Sequence, residues 1–267
     1  MIPPAVITAW GRTRPWPTRE QVEQDLLLAR AMVEIYNHPV LRNELVFRGG
    51  TCLHQVHLPN PLRYSEDLDY VRRTHSPIGP TLDALREVAS SIGLATRSTQ
   101  VGKYPRIKLQ AAATGSDRPL RIKLEINTYE TSPARPAIQV PFAVDTGWFR
   151  GGCKLTTFVP AELVATKLRA LYQRSKGRDV FDLWLALEQL RLEPADILEC
   201  FAPYRPANYS AAAAIANLRG KLSSPSFRHD TDLLVTETPA GYDIDTAAER
   251  IIDQLLSRVA ECQPPQT

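Results

Sequence analysis

Asp67 and Asp69 occupy alternate positions of a run, EDLDYVR, that otherwise reads as a β-strand. Aspartate is depleted in strands, and two like charges on one strand face repel unless a cation sits with them. Strand side chains alternate with period two, so both carboxylates project to one side while Leu68 and Tyr70 point to the other. Two carboxylates on one face suit magnesium, whose remaining ligands are water and phosphate oxygens. Upstream, Gly49 and Gly50 break a short strand, Glu44 to Arg48, and TCLHQVH begins a helix. Adjacent glycines permit close backbone approach, and the first N–H groups of a helix attract phosphate. A Gly-Gly before a helix is usually a turn, and an Asp-x-Asp is usually exposed surface. Together, at this spacing, they favour a metal-plus-triphosphate reading.

A third carboxylate, Glu125, lies in the apolar strand RIKLEINTY between Leu124 and Ile126. It either faces water or completes the metal site, where it would orient or help deprotonate an attacking hydroxyl through the metal. Lys167 shares a helix face with Leu163, Val164 and Leu171. Such a lysine either snorkels to solvent or aims its ammonium at phosphate. Asp179 and Asp182, in GRDVFDLW, share a face of the next helical stretch. The plain alternative for them is helix capping by Asp179 and a surface pair with Arg178.

The fold class read from the pattern is α+β. A small mixed sheet flanked by helices occupies residues 1–145, and a mostly helical C-terminal half occupies residues 146–267. Thr18 caps a helix through REQVEQDLLLARAMVEIYNH, with Val22, Leu26, Ala29 and Val33 on its apolar stripe. TLDALREVASSI is amphipathic. Strands follow near LATRSTQV, RIKLQAAA and LRIKLEINTY, the last two joined by the turn TGSDRP and able to pair as a hairpin. Beyond Pro160 the helical segments are AELVATKLRALYQRS, RDVFDLWLALEQL, PADILECFAPY, SAAAAIANLRGKL and DTAAERIIDQLLSRVAEC.

Hydrophobic residues make up 43% of the chain and charged residues 23%, which excludes disorder as the default. A net charge of +3 does not by itself argue for nucleic acid, but the charges are clustered. Arg97 to Lys123 carries seven basic residues against Asp117, and Lys167 to Arg178 carries five with no acid. The first run comprises Arg97, Lys103, Arg106, Lys108, Arg118, Arg121 and Lys123. Each run alone reads as a solvated face; two runs flanking a phosphate site suit a polyanion. Tyr104 is the only aromatic residue in the first run, so the sequence gives no stacking platform. The cysteines, Cys52, Cys153, Cys200 and Cys262, form no CxxC motif and fit a reduced cytoplasmic protein. MIPPAVITAWGRTRPWP lacks the pattern of a signal peptide, and no apolar stretch of ~20 residues suggests a membrane span.

The segments FRGGTCL, RYSEDLDY, KLEI, ELVATKLRAL and RDVFDL, from Phe47 to Leu183, resemble the AbiEii/AbiGii nucleotidyltransferase toxins. That family includes the mycobacterial MenT toxins and belongs to the DNA polymerase β-like superfamily. The resemblance implies the toxin of a type IV toxin–antitoxin pair, often used in phage defence. It implies transfer of a nucleoside monophosphate from an NTP to an RNA acceptor, the 3′ end of a tRNA, which blocks translation. Mg²⁺ or Mn²⁺ is the implied metal, NTP the co-substrate, and RNA and a cognate antitoxin the partners. Residue by residue, Gly49, Gly50 and Thr51, with Arg48 before them, would bind the triphosphate, and Ser65 would sit beside the nucleotide. Asp67 and Asp69 would hold the metal with Glu125, while Lys167 and Asp182 would complete the catalytic set. Transfer to a protein hydroxyl, an NTP-dependent kinase, and a non-catalytic nucleotide-binding regulator are the rival readings. Retention of both Asp67 and Asp69 disfavours the regulator.

Overall fold

Thr18 opens the helix that backs the sheet. Its hydroxyl accepts from the Gln21 N–H, and the Gln21 side chain accepts from the Thr18 N–H, a reciprocal cap that satisfies two otherwise orphaned donors. The computed structural model describes residues 1–102, 104–207 and 209–259, so Lys103 and Cys262 lie outside the described residues. The chain divides into two compact units. One comprises Met1–His57 and Pro61–Phe158; the other comprises Leu58–Asn60 and the chain from Val159 onward.

The first unit runs α1 (Pro4–Gly11), α2 (Arg19–Asn37), α3 (Leu41–Glu44), β1 (Leu45–Arg48) and α4 (Gly49–Cys52), which widens into a π turn at Leu53–His57. Then come β2 (Asp67–Arg72), α5 (Gly79–Ser91), β3 (Ala95–Gln100), β4 (Arg106–Ala111), β5 (Leu120–Asn127), β6 (Ile138–Asp145) and β7 (Arg150–Thr157). The seven strands form one mixed sheet in the order β3-β4-β5-β2-β1-β7-β6. β2 pairs antiparallel with β1 and parallel with β5, so the acidic strand is internal. β4 and β5 form the antiparallel hairpin that their turn residues suggested.

Burial fixes the register. Leu68 and Tyr70 are fully buried, and the Tyr70 ring lies 5.2 Å from Phe47 and 6.4 Å from Tyr36 of α2. A one-residue slip of β2 would drive Asp67 and Asp69 into this apolar layer and expose the residues that fill it. The apolar stripe of α2, including Leu26, Ala29 and Val33, is likewise buried. Leu26 and Val33 each contribute roughly 1.5–3 kcal/mol by burial.

The sequence pattern predicts no strands between residues 138 and 157, a span that contains Pro141, Gly151 and Gly152. The structure closes the sheet there with the β6–β7 hairpin. Pro141 is tolerated because β6 is the edge strand, where a missing N–H need not face a partner.

The second unit contains α6 (Pro160–Gln173), α7 (Arg178–Gln189), α8 (Pro194–Phe201), α9 (Ala211–Leu222), α10 (Pro225–Arg228) and α11 (Ile244–Gln254). Pro160 begins α6, where its absent N–H is harmless. Ser210 and Asp243 cap α9 and α11 through side-chain acceptors. Leu163, Val164, Leu168, Val180, Phe181, Leu183 and Ile251 form its buried centre. Among the described residues, no helix is long and apolar enough to cross a membrane.

Candidate active site

β2 carries Asp67 and Asp69 on the face opposite the buried Leu68 and Tyr70, and both acids are half-buried. In the sheet register, Asp69 lies beside Arg48 of β1 on one side and Glu125 of β5 on the other. Asp67 lies beside Lys123. Strand pairing thus collects three acids and two cations from three distant segments.

Ion pairs organise this face. The Lys123 ammonium lies 2.9 Å from Asp67 Oδ2 and 3.6 Å from Glu125 Oε2. Arg106, opposite Glu125 on β4, donates to both of its oxygens at 2.8 and 3.4 Å. Arg48 pairs with Glu130 at 2.9 Å, and the Asn127 side chain donates to the same Glu130 oxygen. Burial, followed by the charge of Asp67, raises the pKa of Asp69 above the ordinary carboxylate value, against the lowering influence of Arg48 and Lys123. Burial would lower the pKa of Lys123. Its hydrogen bond to Asp67 and the charges of Asp67, Asp69 and Glu125 outweigh that and raise it.

Among the described residues, no three His, Cys, Asp or Glu side chains are already grouped to hold a metal. Of the expected set of Asp67, Asp69 and Glu125, the first and last instead meet the Lys123 ammonium. The donor chemistry still fits a hard divalent cation. Asp67 and Asp69 are oxygen donors on one face, and the raised pKa of Asp69 marks a carboxylate that added positive charge would relieve.

Gly49 adjoins Asp69. Its φ of +83° is a left-handed conformation, and a Cβ there would lie 2.9 Å from Asp69 Cβ and 3.0 Å from Asp69 Cγ. The next residues are held by side-chain bonds. The Thr51 hydroxyl lies 3.0 Å from the Ser65 hydroxyl and donates to the Asp67 carbonyl. Thr51 is buried, and its side chain ties the start of α4 to the start of β2.

Lys167 and Asp182 belong to the second unit and meet each other there. The Lys167 ammonium lies 2.9 Å from Asp182 and 3.5 Å from Asp179, and both acids are fully buried. Arg174 closes on Asp179 with bonds of 2.7 and 2.8 Å. The cap-and-Arg178 reading of Asp179 is therefore corrected. Gly177 holds the cap position of α7, and Arg178 pairs with Asp230. The turn between α6 and α7 returns Arg174 to Asp179, which linear spacing did not indicate.

Lys123 and Arg106 were read only as members of a basic run. Period-two alternation from Glu125 is the signal that could have placed Lys123 on the acidic face. Both residues turn into that face, leaving Arg97, Lys108, Arg118 and Arg121 as exposed members of the run. Burial pushes the Cys52 and Cys153 thiols up to about 12, so neither offers a thiolate nucleophile near neutral pH.

The description "Nucleotidyl transferase AbiEii toxin, Type IV TA system" matches residues 30–256. Among solved structures, the chain is similar to MenT4, a nucleotidyltransferase toxin from Mycobacterium tuberculosis H37Rv, at 16% identity and a TM-score of 0.64, covering 97% of this chain and 91% of that one. It is also similar to JHP933 from Helicobacter pylori, at 16% identity and a TM-score of 0.51, covering 91% and 92%. A nucleotidyltransferase described as putative, from H. pylori, matches at 18% identity and a TM-score of 0.53, covering 92% and 100%. A search of curated protein sequences finds no match. These structural likenesses carry the fold, and the family match over most of the chain carries the rest: the chain belongs to the AbiEii nucleotidyltransferase toxins of type IV toxin–antitoxin systems.

Proposed function

We propose that this toxin transfers a nucleoside monophosphate from an NTP to the 3′ end of a tRNA, releasing pyrophosphate and blocking translation. The observation that carries the reading is the placement of Asp67 and Asp69 on one sheet face, beside Glu125 and against the side-chain-free Gly49. Asp67 and Asp69, with Glu125 as third donor, would hold Mg²⁺ or Mn²⁺, which supplies charge neutralisation at the reacting phosphates. Gly49 and Gly50 let the triphosphate approach the backbone, and Arg48 adds a guanidinium to the same face. Thr51 keeps Ser65 and the first residue of β2 in place for the nucleotide. Glu125, beside Asp69, is the base candidate for the attacking hydroxyl. Lys167, held by Asp182, is the proposed phosphate-binding lysine among the helices that follow.

RNA as acceptor is supported by Lys108 and Arg121. Both are exposed and lie at alternate strand positions from Arg106 and Lys123, so they extend the same sheet face with positive charge. The family implies a cognate antitoxin as a further partner. The test is incubation of pure protein with each α-labelled NTP and total RNA, followed by gel analysis. Label in a tRNA-sized band supports the reading. Label confined to protein would transfer the acceptor role to a protein hydroxyl, and no incorporation from any α-labelled NTP would refute nucleotidyl transfer.

A further inference from the structure

We infer that Lys123 is a resident counterion of the acidic face, that a divalent cation displaces it from Asp67 and Glu125, and that the released ammonium passes to the incoming triphosphate. The inference rests on the metal reading above. Its starting point is geometric: Lys123 Nζ is 2.9 Å from Asp67 Oδ2 and 3.6 Å from Glu125 Oε2, bridging two of the three proposed metal donors. A divalent cation on the same Asp67 oxygen would lie within a few ångströms of the ammonium. Unlike Coulomb attraction to carboxylate, that contact is a strong like-charge repulsion at the reduced dielectric of a half-buried face. The two cations are therefore alternatives.

Among the described cations that pair with acids on this face, Lys123 is the least tethered. Arg106 holds both oxygens of Glu125, and Arg48 is fastened to Glu130, whose oxygen is also bonded by Asn127. Lys123 offers a point charge on a flexible stem, and its side chain is 34% exposed, so no apolar cage opposes its release. Its cross-strand neighbour on β4 is Lys108, another cation, which adds repulsion on the side away from the acids. A triphosphate brings the negative charge that makes release favourable. Metal and nucleotide then assist each other's binding by the same factor, as linkage requires.

The assay is Mn²⁺ binding by electron paramagnetic resonance of the free ion, for wild type, Lys123→Met and Asp67→Asn, each checked for an unchanged fold by circular dichroism. Affinity for a fluorescent Mn²⁺–NTP complex is measured in parallel. Without nucleotide, Lys123→Met should bind Mn²⁺ about ten-fold tighter than wild type, because the competing charge is gone. Its affinity for the Mn²⁺–NTP complex should fall by a similar factor. A residue with a merely structural role would not move these two affinities in opposite directions. If Asp67→Asn loses Mn²⁺ while Lys123→Met binds it no tighter than wild type, the metal reading stands and the counterion role is overturned. If Lys123→Met gains Mn²⁺ affinity but binds the complex as wild type does, passage to the triphosphate is overturned. If Asp67→Asn binds Mn²⁺ as wild type does, the metal reading fails and takes the inference with it.

Discussion

Replacing Gly49 by alanine separates backbone strain from displacement of a site carboxylate. Gly49 has φ +83°, and an alanine Cβ would come within 2.9 Å of Asp69 Cβ and 3.0 Å of its Cγ, with the carboxylate oxygen closer still. The left-handed conformation costs a non-glycine residue about 1–2 kcal/mol. Relief of the contact requires Asp69 to move by roughly 1 Å, a misplacement that can lower a catalysed rate about 100-fold. Gly93 is the internal control: its φ is +80°, and nothing lies within 4 Å of an added Cβ. Gly93→Ala should therefore show the strain alone, with transfer close to wild type. The assay pairs urea unfolding with initial rates of pyrophosphate release for both variants. Similar stability losses with a selective collapse of the Gly49→Ala rate is the expected result. A Gly49→Ala enzyme as active as Gly93→Ala would show that Asp69 is not held at the reacting centre by that close approach.

Lys167→Met should destabilise the protein by about 3–5 kcal/mol, because it removes one partner of a buried ion pair. Adding Asp182→Asn should recover much of that loss in thermal melts, and an additive double variant would contradict the pairing. Asp25 is fully buried and accepts a 2.8 Å bond from Trp10; burial raises its pKa from 3.8 to about 6. The folded state thus binds this proton more tightly than the unfolded state, so stability falls as pH rises from about 4 to about 6, by on the order of 3 kcal/mol, and is flat above. Asp25→Asn should remove that slope from a stability–pH curve, and an unchanged slope would exclude Asp25 as its source. Lys108→Glu with Arg121→Glu should weaken RNA binding and reduce its salt slope by roughly one unit or less per contact, while NTP affinity holds. Wild-type salt dependence in that variant would move the acceptor surface elsewhere, the second basic run being the next candidate.

Local pattern carried the elements whose causes are local. The Thr18 cap, the α2 stripe and the alternation of Asp67 and Asp69 about Leu68 are all short-range and all visible in one dimension. The β4–β5 hairpin was legible because a turn joins its strands directly. What was not legible depends on pairing across long separations. The opposition of Asp69 to Glu125 follows from a parallel register between strands with α5, β3 and β4 between them in the chain. That same register turns Lys123 from a member of a basic run into a partner of Asp67. The β6–β7 hairpin was hidden for a different reason, since an edge strand accepts a proline that an internal strand would reject. Lys167 was recognisable as unusual on its apolar stripe, but both its partners, Asp179 and Asp182, lie on the next helix, which the intervening turn brings back to α6.

The central claim is that the Asp67–Asp69 face performs nucleotidyl transfer to tRNA, and the mass of the product tests it most directly. Total tRNA is incubated with pure protein, Mg²⁺ and all four NTPs, and its intact mass is then measured beside a parallel reaction with Asp67→Ala. The account predicts tRNA heavier by one or more nucleoside monophosphates with wild type and unchanged tRNA with a folded Asp67→Ala protein. A gain of phosphate alone, or the same nucleotide addition by Asp67→Ala, would contradict it.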